Sequence, residues 1–587
     1  MRIRPLGSLL IPLLLLAIIT LGASPQSASA GALEDGLVAY RHADYATASR
    51  LLLPLAESGS HQAQFRVAEM LYNGFGQPKN IPEAFKWAKL SAERGNGSAL
   101  RRLASLYEPG SGLPQNPDEA KSLYVRAFEK LKLEVQYGDD QAEYDLARLY
   151  EFGDGVPRST KDALVWFARS AERGNILAQN NLAWKYANGS TVPKVEANAF
   201  YWYSRAAALG SKTAQAAVDK LRAGGCTLTF EEAETLYTYR KGAEEGEVVS
   251  QYNLGWMYDT GREGIRNEAE AIVWYRKAAE KGYTLAQLNL GNMFAAGRGT
   301  AKNEADAVYW YRQAAEAGNA AAQCNLASMY AAGRGCKKDE SRALFWYKRA
   351  AEQDNVFAQS TLGWMYSNGS GTAINHGEAL KWYTKAAEKG DVAASFNLGW
   401  MYDNGVGVSK NDELAFSWYL KAAEQGNAAA QGNLGMMYAN GRGTPKKPLE
   451  ALKWLQKAAD QGDVVALVNL GWFYDQEDTG LKDPVKAFAA YRKGAELGNP
   501  IAQANLGNMY AAGIGVAQDE KAALLWLHKA AEQGNAAAQN NLGNMYANGK
   551  GCEKNDATAM DWYKKAAAQG NPQAAANLAS MAGIKGE

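Results

Sequence analysis

The sixteen tryptophans carry most of the chemistry this chain can offer, and they fall into two positions when the sequence is counted in steps of 36 residues. From Ala178, successive steps land on Ala214, Ser250, Ala286, Ala322, Ala358, Ala394, Ala430, Ala466, Ala502, Ala538 and Ala574 without insertion or deletion. With each of these at offset 0, five tryptophans stand at offset 6: Trp184, Trp256, Trp364, Trp400 and Trp472. Three of those repeats add an acid at offset 9, Asp259, Asp403 and Asp475, and Asn404 follows Asp403. An indole offers a large amphipathic contact at low entropic cost, so exposed Trp beside carboxylate or amide makes a surface for a peptide or a sugar ring. These nine residues form the candidate partner-binding set. The competing reading is that each offset-6 ring only packs against the next repeat. The other eleven tryptophans, among them Trp87, Trp202, Trp382 and Trp562, share offset 24 and are expected in the core.

Catalytic patterns are missing from the sequence. The histidines, His42, His61, His376 and His528, occupy unrelated offsets, and no HExxH set forms. No S-x-x-K, G-x-S-x-G or phosphate-cradling loop is present, since the G-x-G stretches follow helices rather than strands. Cys226, Cys324, Cys336 and Cys552 lack CxxC spacing, and no disulfide is expected. The chain therefore reads as non-enzymatic, with no catalytic residues, no cofactor and no metal site.

The elements that must position the tryptophans are pairs of helices. In the repeat from Ser250, offsets 0, 4, 5, 7 and 8 are apolar or small, which at about 100° per residue makes one buried stripe. Offset 6 lies roughly opposite that stripe. Gly261 is placed to end this helix in a left-handed cap, and Asn267 to cap a second helix over 269–281 that carries Trp274, Tyr275, Ala278 and Ala279 inward. Asn303, Asp339, Asn375, Asn411, Asp483, Asp519 and Asn555 repeat that cap. A fixed period of this kind predicts stacked supersecondary units rather than one core, which also suits a length of 587 residues.

The array has irregular places. Seven extra residues separate Ala99 from Ala142, giving an insertion near 130–140. The repeat 214–249 is weak, with Asp219 and Arg222 where small and aromatic residues belong. Either could be a hinge or a tolerated variation. Residues 31–58 are expected to cap the N-terminus as a helix pair, tandem repeats to fill 59–573, and 574–587 to close the array as a half-repeat. At the start, Arg2 and Arg4 precede an apolar run over 9–21, and Ala28-Ser29-Ala30 supplies a cleavage site, so 1–30 reads as a signal peptide. Its removal takes the formal charge from +1 to −1 and leaves no membrane span. The even charge mixing, without a basic stripe, argues against nucleic acid as partner.

The repeated residues resemble the Sel-one-like (SLR) repeats, cousins of the tetratricopeptide repeat. The pattern A-x-x-N-L-G-x-M-Y, then G-x-G, an acidic cap and W-Y-x-K-A-A-E-x-G, stands almost verbatim in 286–318 and 394–426. The resemblance covers about fourteen repeats. It implies an all-α fold, an α/α solenoid superhelix, with first helices lining the concave side. It also implies an adaptor that holds protein complexes together, often exported. Some cysteine-rich relatives have been linked to β-lactamase activity, but this chain lacks both the serine motif and paired cysteines. The leading expectation is an exported scaffold, periplasmic or secreted, gripping a protein or peptide along its concave wall. The alternative is a scaffold that binds or helps secrete an envelope polysaccharide or peptidoglycan, its Trp rings stacked on sugars.

Overall fold

A computed structural model describes residues 25–261, 265–477 and 480–583. Among the described residues there are 31 α-helices and no strand. The helices form two compact bodies, one up to Lys277 and one from Ala278. Within each, a helix pair recurs at the 36-residue step, so the chain is an all-α repeat solenoid.

The repeat from Ala394 shows how the sequence dictates the pair. Asp391 accepts the Ala394 N–H at 2.7 Å and starts the first helix, Val392–Asn404, which Gly405 ends at φ 70°. Asn411 then accepts the Leu414 N–H at 2.9 Å and starts the second, Asp412–Glu424. Asn267, Asn303, Asp339, Asn375, Asp483, Asp519 and Asn555 cap second helices in the same way. A further set of caps, Asn319, Asn355, Asn427, Asp463, Asn499 and Asn535, starts the first helices at offset −3, about a turn before the stripe becomes visible in sequence. An oxygen side chain at each start satisfies an N–H that the helix leaves unpaired.

The expectation of a tryptophan core holds only in part. Trp202, Trp274, Trp310, Trp382 and Trp454 are buried, but Trp87, Trp166, Trp346, Trp418, Trp526 and Trp562 are only half-buried. The ring that fills the core stands one residue later, at offset 25, as in Tyr275, Tyr311, Tyr347, Tyr383 and Tyr419. Tyr275, Tyr311, Tyr383 and Tyr419 lie against the glycine at offset 5, whereas the repeat of Tyr347 has Ala327 there. A Cβ on Gly399 would stand 2.6 Å from Tyr419 Cδ1, and one on Gly363 2.7 Å from Tyr383 Cδ1. Only a residue without a side chain allows so close an approach. The offset-24 indole flanks that stripe, and its outer side is covered by the basic residue one turn on: Lys421 lies 4.0 Å from Trp418, Lys529 4.2 Å from Trp526 and Lys565 4.1 Å from Trp562.

A second inter-repeat device is polar. The glutamine at offset 1 is buried and reaches back to the last turn of the preceding second helix. Gln359 Nε2 donates to Ala351 O at 3.0 Å, Gln431 to Ala423 O at 3.0 Å and Gln539 to Ala531 O at 3.0 Å. Each of these carbonyls also accepts a backbone N–H from the turn that follows its helix, so the glutamine adds a second donor and ties the first helix of one repeat to the second helix of the one before. Where the chain has glutamine at offset 31, the relay extends: Gln461 donates to Gln431 Oε1 and Gln569 to Gln539 Oε1, both at 2.8 Å.

The irregular places are largely helical. The residues inserted near 130–140 lengthen a helix, Pro117–Glu134, and add one 3-10 turn, Val135–Tyr137. In the repeat 214–249, the first helix Lys212–Ala223 fully buries Ala214 alone. The second, Phe230–Glu245, packs directly on Glu196–Ala208, with Tyr237 stacked 4.8 Å from Tyr201 and edge-on 5.1 Å from Trp202. At the N-terminus, helices Pro25–Arg41 and Tyr45–Glu57 pack as a pair, and Pro572–Gly583 is the last helix. The charged and apolar parts of the expected signal peptide lie outside the described residues, and its expected cleavage site falls within Pro25–Arg41.

Candidate partner-binding wall

First helices of neighbouring repeats touch one another, as Val356–Asn368 does Val392–Asn404 and Ala428–Asn440 does Val464–Asp475. Offsets 3, 6 and 10, with the residue just before offset 0, share the face of these helices turned away from their core stripes. In the repeats without Trp, that face is a ladder of amides. Asn325 donates to Asn292 Oδ1 at 3.2 Å, and Tyr311 OH donates to the same oxygen at 2.8 Å. Asn541 donates to Asn508 Oδ1 at 2.9 Å, while Asn577 at 3.2 Å and Tyr563 OH at 2.6 Å both donate to Asn544 Oδ1. Where offset 6 is asparagine, its oxygen is thus an acceptor for its own core tyrosine, for the next repeat, or for both.

A tryptophan at offset 6 removes that acceptor and leaves much of its ring in water. Trp184 is 52% exposed, Trp364 51%, Trp400 42% and Trp472 39%. Phe357 and Val465, one helical face with Trp364 and Trp472, are exposed too. Sequence reasoning passed over these two, although the seven-residue spacing to the tryptophan puts them on its side of the helix. Trp256 differs, being half-buried. If packing between repeats were the role of these rings, contact should replace the lost hydrogen bond, and at four of the five positions about two-fifths or more of the ring area is still open.

The polar members of the candidate set are occupied in three cases. Asp403 is gripped by Arg442 from the loop of the next repeat, which also donates to Asp412 at 2.9 Å. That bond from Arg442 is the main reason the Asp412 carboxyl lies below its usual range. Asp259 accepts from Tyr275 OH at 3.4 Å. Asn404 Nδ2 donates to the Trp400 carbonyl at 2.9 Å, as Asn368 does to Trp364 and Asn188 to Trp184. Asp475 is exposed beside Trp472. The structure thus keeps the tryptophans as a surface but commits Asp403 to bracing a loop, a role carried by an arginine 39 residues away that no local pattern reveals.

Chemistry beyond contact finds little support. Among the described residues no cluster of three or more His, Cys, Asp or Glu is placed to hold a metal ion. Burial pushes the Cys324 thiol up to about 11, so it stays protonated and a poor nucleophile at neutral pH.

The Sel1-repeat profile matches thirteen segments: 61–96, 97–130, 140–175, 176–211 and nine consecutive ones from 248–283 to 536–571. The chain belongs to the Sel1-repeat family. One stretch left unmatched within the array, 212–247, is the repeat whose first helix buries a single residue. Among solved structures, a protective antigen present in uropathogenic Escherichia coli strains, displaying an SLR fold, is 31% identical, over 78% of this chain and 90% of that one, at a TM-score of 0.56. A Sel1 repeat protein from Oxalobacter formigenes is 33% identical over 53% of this chain and 90% of its own, at a TM-score of 0.44. No curated protein matches the chain significantly. Sel1 repeats are scaffolds that typically mediate protein interactions and are generally non-catalytic.

Proposed function

We propose that this Sel1-repeat protein is an exported, non-enzymatic scaffold that binds a protein or peptide along the concave wall of its first helices. The observation that carries the reading is the exposure of Trp364, Trp400 and Trp472 at one register, where Asn292, Ser328 and Asn544 of other repeats are hydrogen-bonded to a core tyrosine. Large rings held by a helix lose little entropy on contact and serve as anchors. A wall of successive helices can hold an extended partner without moving parts. Export is supported by Arg2 and Arg4, the apolar run over 9–21 and the Ala28–Ser29–Ala30 site. A sugar ligand is less well served, because the acid beside Trp400 that would orient a hydroxyl is held by Arg442.

The test is capture of a partner from an envelope or culture extract of the source cells on the immobilised chain, followed by measured affinity for the isolated partner. Trp364→Ala with Trp400→Ala is expected to weaken binding at least tenfold, about 1.4 kcal/mol, with helicity and melting temperature nearly unchanged. Undiminished affinity in that double variant removes the wall as the binding surface.

A further inference from the structure

A cleft lies between the second helix of the repeat 214–249 and the first helix of the next repeat. In the repeat that follows, the offset-25 ring of Tyr275 lies against Gly255 at offset 5 of its own hairpin. In 214–249, Asp219 stands in the glycine's place, and helix Lys212–Ala223 fully buries Ala214 alone. Tyr239 holds the ring's register but is only half-buried. It lines a cavity of about 420 Å³ with Glu231, Glu232 and Thr235 of its own helix and Asn253, Trp256 and Met257 of the next first helix. This explains why Trp256 differs from the other offset-6 tryptophans.

The lining is aromatic and acidic together. Residues 229–260 contain seven acids and two bases, in a chain whose total charge is +1. Both bases are committed elsewhere: Arg240 to Tyr258 and Glu244, and Lys241 to Glu172 at 2.6 Å. Glu232 accepts the Thr229 N–H at 2.7 Å in a capping box. Glu231 is exposed and has no ion pair among the described residues. Two electron-rich rings beside an unbalanced carboxylate attract a cation on an apolar stem, and the volume suits one long side chain.

We propose that this cleft is a separate binding site for a lysine or arginine side chain presented by a basic peptide. The rings of Trp256 and Tyr239 take the alkyl stem and the charge, and Glu231 balances it. Asn253 and Thr235 offer an amide and a hydroxyl to the peptide backbone. The site lies in the first body and does not depend on the wall around Trp364 and Trp400.

Fluorescence anisotropy of labelled tetra-lysine with the full chain tests it, with labelled tetra-alanine as the control. Saturable binding of tetra-lysine alone is expected, falling about tenfold with Trp256→Leu and about threefold with Glu231→Gln, and unchanged by Trp364→Ala with Trp400→Ala. Glu231 is on the surface, so its variant keeps the fold and remains a fair test even if Trp256→Leu unfolds its repeat. Equal affinity in the Glu231→Gln variant, no saturable binding of tetra-lysine, or equal binding of tetra-alanine would overturn the proposal. So would spermidine displacing the peptide at equal concentration, which would make the site one for free polyamines.

Discussion

Trp382→Ala is expected to destabilise its repeat by about 3–5 kcal/mol, and Trp364→Ala by about 1 kcal/mol or less. The two residues belong to the same helix pair and are the same amino acid, so their environments decide the difference. Trp382 is 3% exposed, and its Nε1 donates to Glu378 at 3.1 Å, so truncation leaves a cavity between packed helices. Trp364 already has half its surface in water, and nothing collapses when it goes. Stability in an array is local, so the readout is amide exchange of helix His376–Glu388 and its neighbours rather than a single melting temperature. Equal loss of protection in the two variants would mean that Trp364 is a packing residue and that the wall is not a free surface.

Deleting residues 322–357 is expected to leave a folded, helical chain, whereas deleting eighteen residues from 322 should abolish folding of the second body. The whole-repeat deletion joins Ala321 to Ala358. The resulting first helix keeps Asn319 as its cap, and the register of Gln359 and Leu362 is preserved. Gln359 then finds the Ala315 carbonyl at the place where Ala351 stood, because Gln323 bonds Ala315 in the same way at 3.1 Å. Each repeat contacts only its neighbours, so a stack shortened in phase loses about one repeat's worth of interface. The half-repeat deletion sets the second helix Glu340–Glu352 where a first belongs, and it takes away Ser328, which bonds the Tyr347 hydroxyl, and Gln323, which accepts from Gln353. Circular dichroism with thermal melts reads both. Equal tolerance of the two deletions would contradict the stacking described here.

The local parts of this architecture were legible because they are encoded locally. Asn267 and Gly261 start and stop helices through their own neighbours' N–H and through backbone conformation, and the structure uses both as the sequence implies. The offset-6 tryptophans were placed outside the core by angle alone, and the exposure of Trp364 and Trp400 agrees. What failed were inferences from residue size and from linear neighbourhood. Trp at offset 24 looked like the core because it is large, but Tyr at offset 25 points straight down the stripe and meets a glycine. Asp403 looked like a ligand group because it follows Trp400, but Arg442 reaches it across the stack. The extra residues before Asp140 carry no pattern that assigns them, and they lengthen the helix Pro117–Glu134, which has no proline or glycine after its first residue, and form the 3-10 turn Val135–Tyr137. The cleft beside Trp256 was out of reach for the same reason, since it depends on Tyr239 no longer meeting a glycine in its own repeat.

Amide hydrogen exchange of the chain with and without its captured partner tests the binding wall most directly. The account predicts slowed exchange in the first helices Val356–Asn368 and Val392–Asn404, with the second helices His376–Glu388 and Asp412–Glu424 changed little. Protection confined to those second helices, or to the capping helices at Pro25–Arg41 and Pro572–Gly583, with both first helices unchanged, would contradict it.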